Sequence, residues 1–152
     1  MRKVLVCSAG NEGSLRSVNI GYPARYGGVI TVAAHDRFGR PSGFSSAGGE
    51  VDISGPGEDV LSTWPSGYAK RSGTSMAAPW VAGVAALILS KHRFAAEEDK
   101  AKGKIPRFDK TPVQNCEDMR EHLRRMAAHG GHFNAFDGYG PLWPGDYLMR
   151  GL

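Results

Sequence analysis

Residues Ser72–Leu87 read SGTSMAAPWVAGVAAL, and the reading of this stretch decides the fold. A Gly-Thr-Ser-Met step leads straight into small and apolar residues with one proline among them. The run predicts a helix from about Ser75 to Ser90. It is apolar nearly all round, so burial on all sides is expected. Pro79 fits only in a first turn, where its missing N–H is not needed, and this puts the helix N-terminus close to Ser75. Ser75 then has two readings. It caps the helix, or it attacks something.

Upstream, Lys3–Cys7 is a continuous apolar run, as in a strand covered on both faces. It ends in a loop with two glycines and an asparagine, Ser8–Ser14, the place where open α/β sheets gather ligand-contacting residues. Val29–Ala34 reads as a second buried strand. Val51–Ser54 and Val60–Trp64 read as short strands around Gly55-Pro56-Gly57. Tyr68–Arg71 can pair with the latter as a hairpin about Pro65-Ser66-Gly67. Short buried strands, a buried helix and 21 glycines in 152 residues point to a loop-rich α/β domain.

Downstream, the stretch from 94 to 110 is charged, carries Gly103 and Pro106, and reads as a solvated loop. Thr111-Pro112 resembles a helix cap followed by proline at the first position. Val113, Cys116, Met119, Leu123 and Met126 then recur at helical spacing, as an amphipathic helix that packs on the sheet. The organisation expected is one portion of a domain over 1–152, with a core over 3–93, a charged loop over 94–110, and a helix and closing tail over 111–152.

A formal net charge of +4 with no dense basic stripe argues against nucleic acid as partner. The apolar run Met76–Leu89 is expected to be too short and too alanine-rich for a bilayer, so no membrane partner is expected. The start MRKVLVCSAG is too short for a signal-peptide core. The two cysteines, Cys7 and Cys116, are expected as free thiols, and no spacing suggests zinc.

A serine hydroxyl is a weak nucleophile unless a base takes its proton. A helix N-terminus helps separately, because its free N–H groups favour developing negative charge. Gly73 allows close approach of a substrate backbone. Ala77 and Ala78 let the helix start sit tight against its neighbours. These features suit a nucleophile, and they equally suit a plain N-cap serine.

GTSMAAPWVAGVAALIL closely resembles the nucleophile segment of the subtilisin-like serine proteases, the subtilases. VLVCSAGNEGS resembles the strand and oxyanion loop of that family. GYPARYGGVITVAAHD and FSSAGGEVDISGPGEDVLST resemble the segments that follow, in family order. Together they cover roughly Val4 to Lys91, and DGYGPL is a weaker echo near the C-terminus. The resemblance implies a mostly parallel sheet with buried helices and a serine endopeptidase acting on polypeptides.

Matched residue by residue, Ser75 is implied as the acylating nucleophile and Asn11 as the side-chain donor to the oxyanion. On its own, Asn11 reads as a turn residue before Gly13. The resemblance assigns Ser8, Ala9 and Gly10 to one wall of the substrate pocket and Gly21, Tyr22, Pro23 and Ala24 to its floor. Gly73 and Thr74 complete the substrate-binding set. Glu50 and Asp52, with backbone carbonyls near Ala24, Tyr26 and Val29, match a weak structural site for Ca²⁺ or Na⁺, or else are two surface carboxylates. No cofactor is required. Met76 is implied as the oxidation-sensitive neighbour of the nucleophile.

Triad order in this family is Asp, His, Ser, and subtilisin is itself the standard example of that order. The base and its aspartate are therefore expected N-terminal to the oxyanion strand, and neither segment is present. His35, His92, His122, His129 and His132 all stand in other contexts, and Trp80 replaces a non-catalytic histidine common in the family. The chain is expected to be a C-terminal part of a catalytic domain, inactive alone. It would be completed by an N-terminal half, or survive as an inactive peptide-binding or subunit-binding relative. An extracellular location follows from family expectation only.

Overall fold

The computed structural model describes residues 3–13, 19–102 and 113–143, with the side chains of 94–100 outside the description. Three parallel strands form the sheet in the order β1-β2-β3: β1 Val6–Ser8, β2 Ile30–His35 and β3 Ile53–Pro56. Val6 lies opposite Ile30, and Val32 opposite Ile53. All six residues of β2 are buried, as a central parallel strand requires. Pairing with β2 sets the ends of its neighbours. β1 starts three residues later than the apolar run Lys3–Cys7, and β3 runs through Gly55 and Pro56 rather than stopping at Ser54. Pro56 is tolerated because β3 is an edge strand, where a missing N–H breaks no ladder.

β4 (Val60–Trp64) and β5 (Gly67–Arg71) form the expected antiparallel hairpin, closed by Trp64 opposite Gly67. Gly67 turns the chain at φ +127°, a conformation that favours glycine.

α1 (Thr74–Ala101) packs across the sheet. Ala77, Val81, Val84, Ala85 and Ile88 repeat at three- and four-residue steps and are buried against Ile30, Val32, Ala34 and Ile53. A fully buried Val or Ile of this kind contributes about 1.5–3 kcal/mol. The helix is buried on that face only. Trp80 and Leu87 are exposed at 36% and 55%, which corrects the expectation of burial all round. Over Thr74–Arg93 it is long and apolar enough to cross a bilayer, contrary to the length expectation, yet its buried face is the core of the sheet.

The charged stretch expected as loop from 94 is helical as far as Ala101. Phe94–Lys102 holds alanines, acids and lysines with no glycine or proline, so nothing ends the helix there. The rest of that loop, 103–110, and the cap expected at Thr111-Pro112 lie outside the described residues. α2 runs Cys116–Arg125, capped by Asn115, whose Oδ1 accepts from the N–H groups of Glu117 (2.8 Å) and Asp118 (3.1 Å). The N-cap is therefore Asn115, not Thr111, because an asparagine carboxamide satisfies two first-turn donors. Cys116, Met119, Leu123 and Met126 join the core as the spacing predicts. Cys7 and Cys116 are free thiols.

Candidate active site

The C-terminal end of β1 carries Ser8 into Ala9, Gly10 and Asn11, beside the first turn of α1. Ala9 N–H donates to Val32 O at 2.9 Å, so the loop leaves the sheet in register. Gly10 adopts φ +116°, and a Cβ there would lie 2.8 Å from Ser46 Oγ. Glycine is therefore needed for the chain to turn back toward α1.

Thr74, 1% exposed, ties the two segments together. Its backbone N–H and its hydroxyl both donate to Asn11 Oδ1, at 2.9 and 3.0 Å. Its Oγ1 in turn accepts from Gly10 N–H at 3.2 Å. The carbonyl side of the Asn11 amide is thus committed, and its Nδ2 has no partner among the described residues. Gly73, at φ +156°, passes close to that amide, and a Cβ there would lie 3.3 Å from Nδ2. Ser75 follows, exposed in the first turn of α1. Its N–H is one of the donors a helix start leaves without an intrahelical partner. Asn11 is thus tied to the helix start at which the Ser75 hydroxyl is exposed.

Ser75 opens on a cleft of about 470 Å³. Ser8, Ala9 and Gly10 form one side, and Gly21, Tyr22 and Pro23 another, so most of the expected pocket residues converge. Ala24 does not line it. It is buried, and its carbonyl accepts from Thr31 Oγ1 at 2.5 Å. Asn11, Gly73 and Thr74 are not among the residues that line the cleft. Glu12 also lines the cleft, and the sequence reading passes over it. Its carboxylate accepts from Ser46 Oγ at 2.7 Å. That bond is the largest cause holding its pKa below the ordinary value of 4.5. Its place in the Gly-Asn-Glu-Gly loop is the available signal.

All five histidines are described, and none lines this cleft. His35 is buried at the end of β2, with Nδ1 2.7 Å from Asp36 O. His122 is buried with its ring 4.8 Å from that of His92. His129 pairs with the buried Asp137 at 3.0 Å.

Glu50 and Asp52 meet different arginines. Glu50 pairs with Arg25 at 3.1 Å. Asp52, 9% exposed, has Oδ1 2.7 Å from Arg120 Nε, an ion pair not aligned as a hydrogen bond. Its Oδ2 accepts from Thr31 N–H at 2.9 Å. The Val29 carbonyl accepts from Arg120 Nη2. No group of three or more Asp, Glu, His or Cys suited to a metal occurs among the described residues. Arg120 thus engages the Asp52 carboxylate and the Val29 carbonyl, and Arg25 engages Glu50 Oε1, while Glu50 Oε2 is buried without a hydrogen-bond partner. Burial pushes the Asp52 carboxyl above the usual aspartate range, against the pull of the Thr31 N–H and Arg120. Burial also works against the Arg120 charge, but the Asp52 and Glu117 carboxylates outweigh it and raise its pKa.

Residues 2–140 match the family model of the subtilase family. Subtilisin DY of Bacillus licheniformis is 54% identical over 91 residues, 59% of this chain and 33% of that protein. The intracellular serine protease of Paenibacillus polymyxa is 48% identical over 99 residues, 63% of this chain and 30% of that protein. The self-cleaved protease domain of PatA superposes with a TM-score of 0.70 at 31% identity, over 97% of this chain and 49% of that one. The chain thus spans about a third of the length of these subtilisin-type relatives and half that of the PatA domain. Its parallel sheet with a helix across it matches the fold of a subtilisin-like protease domain, and the chain belongs to the subtilase family.

Proposed function

We propose that this chain is the nucleophile-bearing portion of a serine endopeptidase, with Ser75 as acylating residue. One observation carries the reading: Thr74 locks the Asn11 carbonyl at the helix start where the next residue, Ser75, exposes its hydroxyl. Attack by Ser75 Oγ on a peptide carbonyl puts negative charge on that oxygen. The Asn11 amide and the Ser75 N–H favour the charged form over the neutral carbonyl, which lowers the barrier rather than merely binding substrate. The leaving amine must then be protonated and the acyl-enzyme hydrolysed by water. One group must take the Ser75 proton as base, return it to the leaving amine as acid, and then accept a proton from the attacking water; no histidine lines the cleft to do so.

The Asp and His are proposed to come from a further portion of the catalytic domain. An apolar groove of about 930 Å³ beside β1 supports this, lined by Val4, Val6, Ala82, Ala85 and Leu89. The outer edge of β1 has no strand partner among the described residues, and Leu5, just before it, is exposed at 53%. Such an edge and groove are normally covered in a complete sheet. Polypeptide is the substrate class, and Glu12 in the cleft favours a basic side chain before the scissile bond.

Labelling with a fluorophosphonate probe tests the assignment. The chain alone should label no faster than Ser75→Ala. It should label strongly when combined with a subtilase N-terminal segment that carries the Asp and His. Strong Ser75-dependent labelling of the chain alone would overturn the missing base. A folded complemented enzyme that stays unlabelled would overturn Ser75 as nucleophile.

A further inference from the structure

Two of the oxygens expected to hold a cation, those of Asp52 and Val29, engage Arg120 instead. This side chain rises from α2 and is 9% exposed. Its Nη2 donates to Val29 O at 2.7 Å and to Gly27 O at 3.1 Å. Its Nε lies 2.7 Å from Asp52 Oδ1, and Nη1 pairs with Glu117 one turn back on α2. Arg124 stands further off, 4.0 Å from the same Asp52 oxygen. Two backbone carbonyls and a buried carboxylate thus converge on one planar cation.

The contacts continue toward the cleft. Asp52 Oδ2 accepts from Thr31 N–H, and Thr31 Oγ1 donates to Ala24 O. Gly27 and Val29 belong to the same segment, whose start, Gly21–Pro23, lines the cleft. We propose that Arg120 is an internal cation: its guanidinium takes the place of an exchangeable metal ion and braces the 21–31 segment against α2 and β3.

The chemistry favours arginine in this role. A guanidinium offers donors in a rigid fork, so it can serve two carbonyls and a carboxylate at once, which a lysine ammonium cannot do in one geometry. Ca²⁺ needs six to eight oxygens at 2.3–2.6 Å. Here the carbonyls and Asp52 are already engaged, only Oε2 of Glu50 is buried without a partner while its Oε1 pairs with Arg25, and a metal would meet the guanidinium charge at close range. The tethered cation also pays no entropy for capture from solution. The proposal does not depend on Ser75 acting as a nucleophile.

Thermal unfolding and Tb³⁺ luminescence, sensitised by nearby tyrosine, test it without any activity assay. The native protein should show the same Tm in EDTA, Ca²⁺ or K⁺ at constant ionic strength, and no saturable Tb³⁺ signal. Arg120→Ala should lower Tm by on the order of 10 °C, since removing one partner strands a buried charge. Ca²⁺, K⁺ or Tb³⁺ should then recover part of that loss, and the Tb³⁺ signal should vanish again on adding Asp52→Asn. A Ca²⁺-raised Tm in the native protein, abolished by Asp52→Asn, would overturn the proposal. So would an Arg120→Ala loss that no cation recovers, or no loss at all. Should Arg120→Ala not fold, Arg120→Lys takes its place. A lowered Tm without metal response supports the proposal, and an unchanged Tm refutes it.

Discussion

The same chemical change, Gly to Ala, should have opposite signs at two places in this fold. Gly57 lies between β3 and β4. Its N–H donates to His35 O at 3.0 Å, and its carbonyl accepts from Gly73 N–H at 2.8 Å. A Cβ at Gly57 would lie 2.5 Å from Ala34 Cβ and 3.0 Å from Gly73 O. Carbon atoms pack at about 3.5–4.0 Å, so the overlap is about 1 Å. Ala34 cannot yield. It is fully buried in the central strand, with its N–H on Ser45 Oγ (3.0 Å) and its carbonyl on Ser42 N–H (2.9 Å). The loop must move and stretch one of its two bonds. Overpacking of about 1–3 kcal/mol plus about 1 kcal/mol of hydrogen bonding gives roughly 2–4 kcal/mol. In a chain of this size that lowers Tm by on the order of 5–15 °C. Gly83, in α1, is exposed and a Cβ there meets nothing within 4 Å. Gly83→Ala should add about 0.5–1 kcal/mol by helix propensity, raising Tm by a few degrees. Calorimetry on both variants decides the matter. A Gly57→Ala Tm within about 1 °C of the parent would refute the packing argument. A fall with Gly83→Ala would show that this face of α1 is already covered in solution.

Thr74→Val keeps the backbone N–H to Asn11 but removes the hydroxyl and orphans Gly10 N–H. A destabilisation of about 1–3 kcal/mol is expected by chemical denaturation, and in the complemented enzyme kcat should fall more than KM rises. Asn11→Ala in that enzyme should lower kcat by on the order of 10²–10³, the loss established on subtilisin itself for removing one oxyanion donor; an unchanged kcat would remove Asn11 from the oxyanion site. Met76, partly buried beside Ser75, should lose activity on mild peroxide, and full activity with Met76 fully converted, as read by mass spectrometry, would count against its placement. The lowered Glu12 pKa predicts a small stabilisation present above pH 4.5 and lost as pH falls through the native value. Ser46→Ala should raise that pKa in an NMR titration, since Ser46 is its largest cause.

Periodicity makes the sheet and the helices legible. Ile30–His35 is foreseen within a residue at each end, because a central parallel strand is apolar throughout. The β4–β5 hairpin is foreseen from its Pro-Ser-Gly turn. Periodicity is blind to pairing, and so it misplaces the ends of β1 and β3, which are set by Ile30 and Val32 across the ladder. It also lets the change of character near Arg93 stand for the end of α1. Charge alone does not end a helix, and the alanines and acids of 94–102 are good helix formers. Burial of α1 on all sides is an inference from composition, which says which residues are apolar but not whether a neighbour exists to cover them.

Site residues divide along the same line. Those whose role lies in local backbone, Gly10, Asn11, Gly73 and Ser75, are legible as short motifs; of these the structure sets Gly10 and Ser75 in the cleft lining and joins Asn11 to the start of α1 through Thr74. Roles that depend on a distant partner are not. Nothing in the sequence of α2 says that Arg120 reaches a loop ninety-one residues upstream at Val29. Asp52 likewise offers a carboxylate without saying which cation it meets. The shared carbonyls and carboxylate explain both outcomes. One oxygen set suits either a metal or a guanidinium, and the choice depends on whether an arginine comes within reach when α2 docks. Once Arg120 occupies that set, the segment that shapes the cleft is braced by the same helix that closes the core. Cleft geometry and core stability should therefore fall together when Arg120 is removed, and recover together when a cation replaces it.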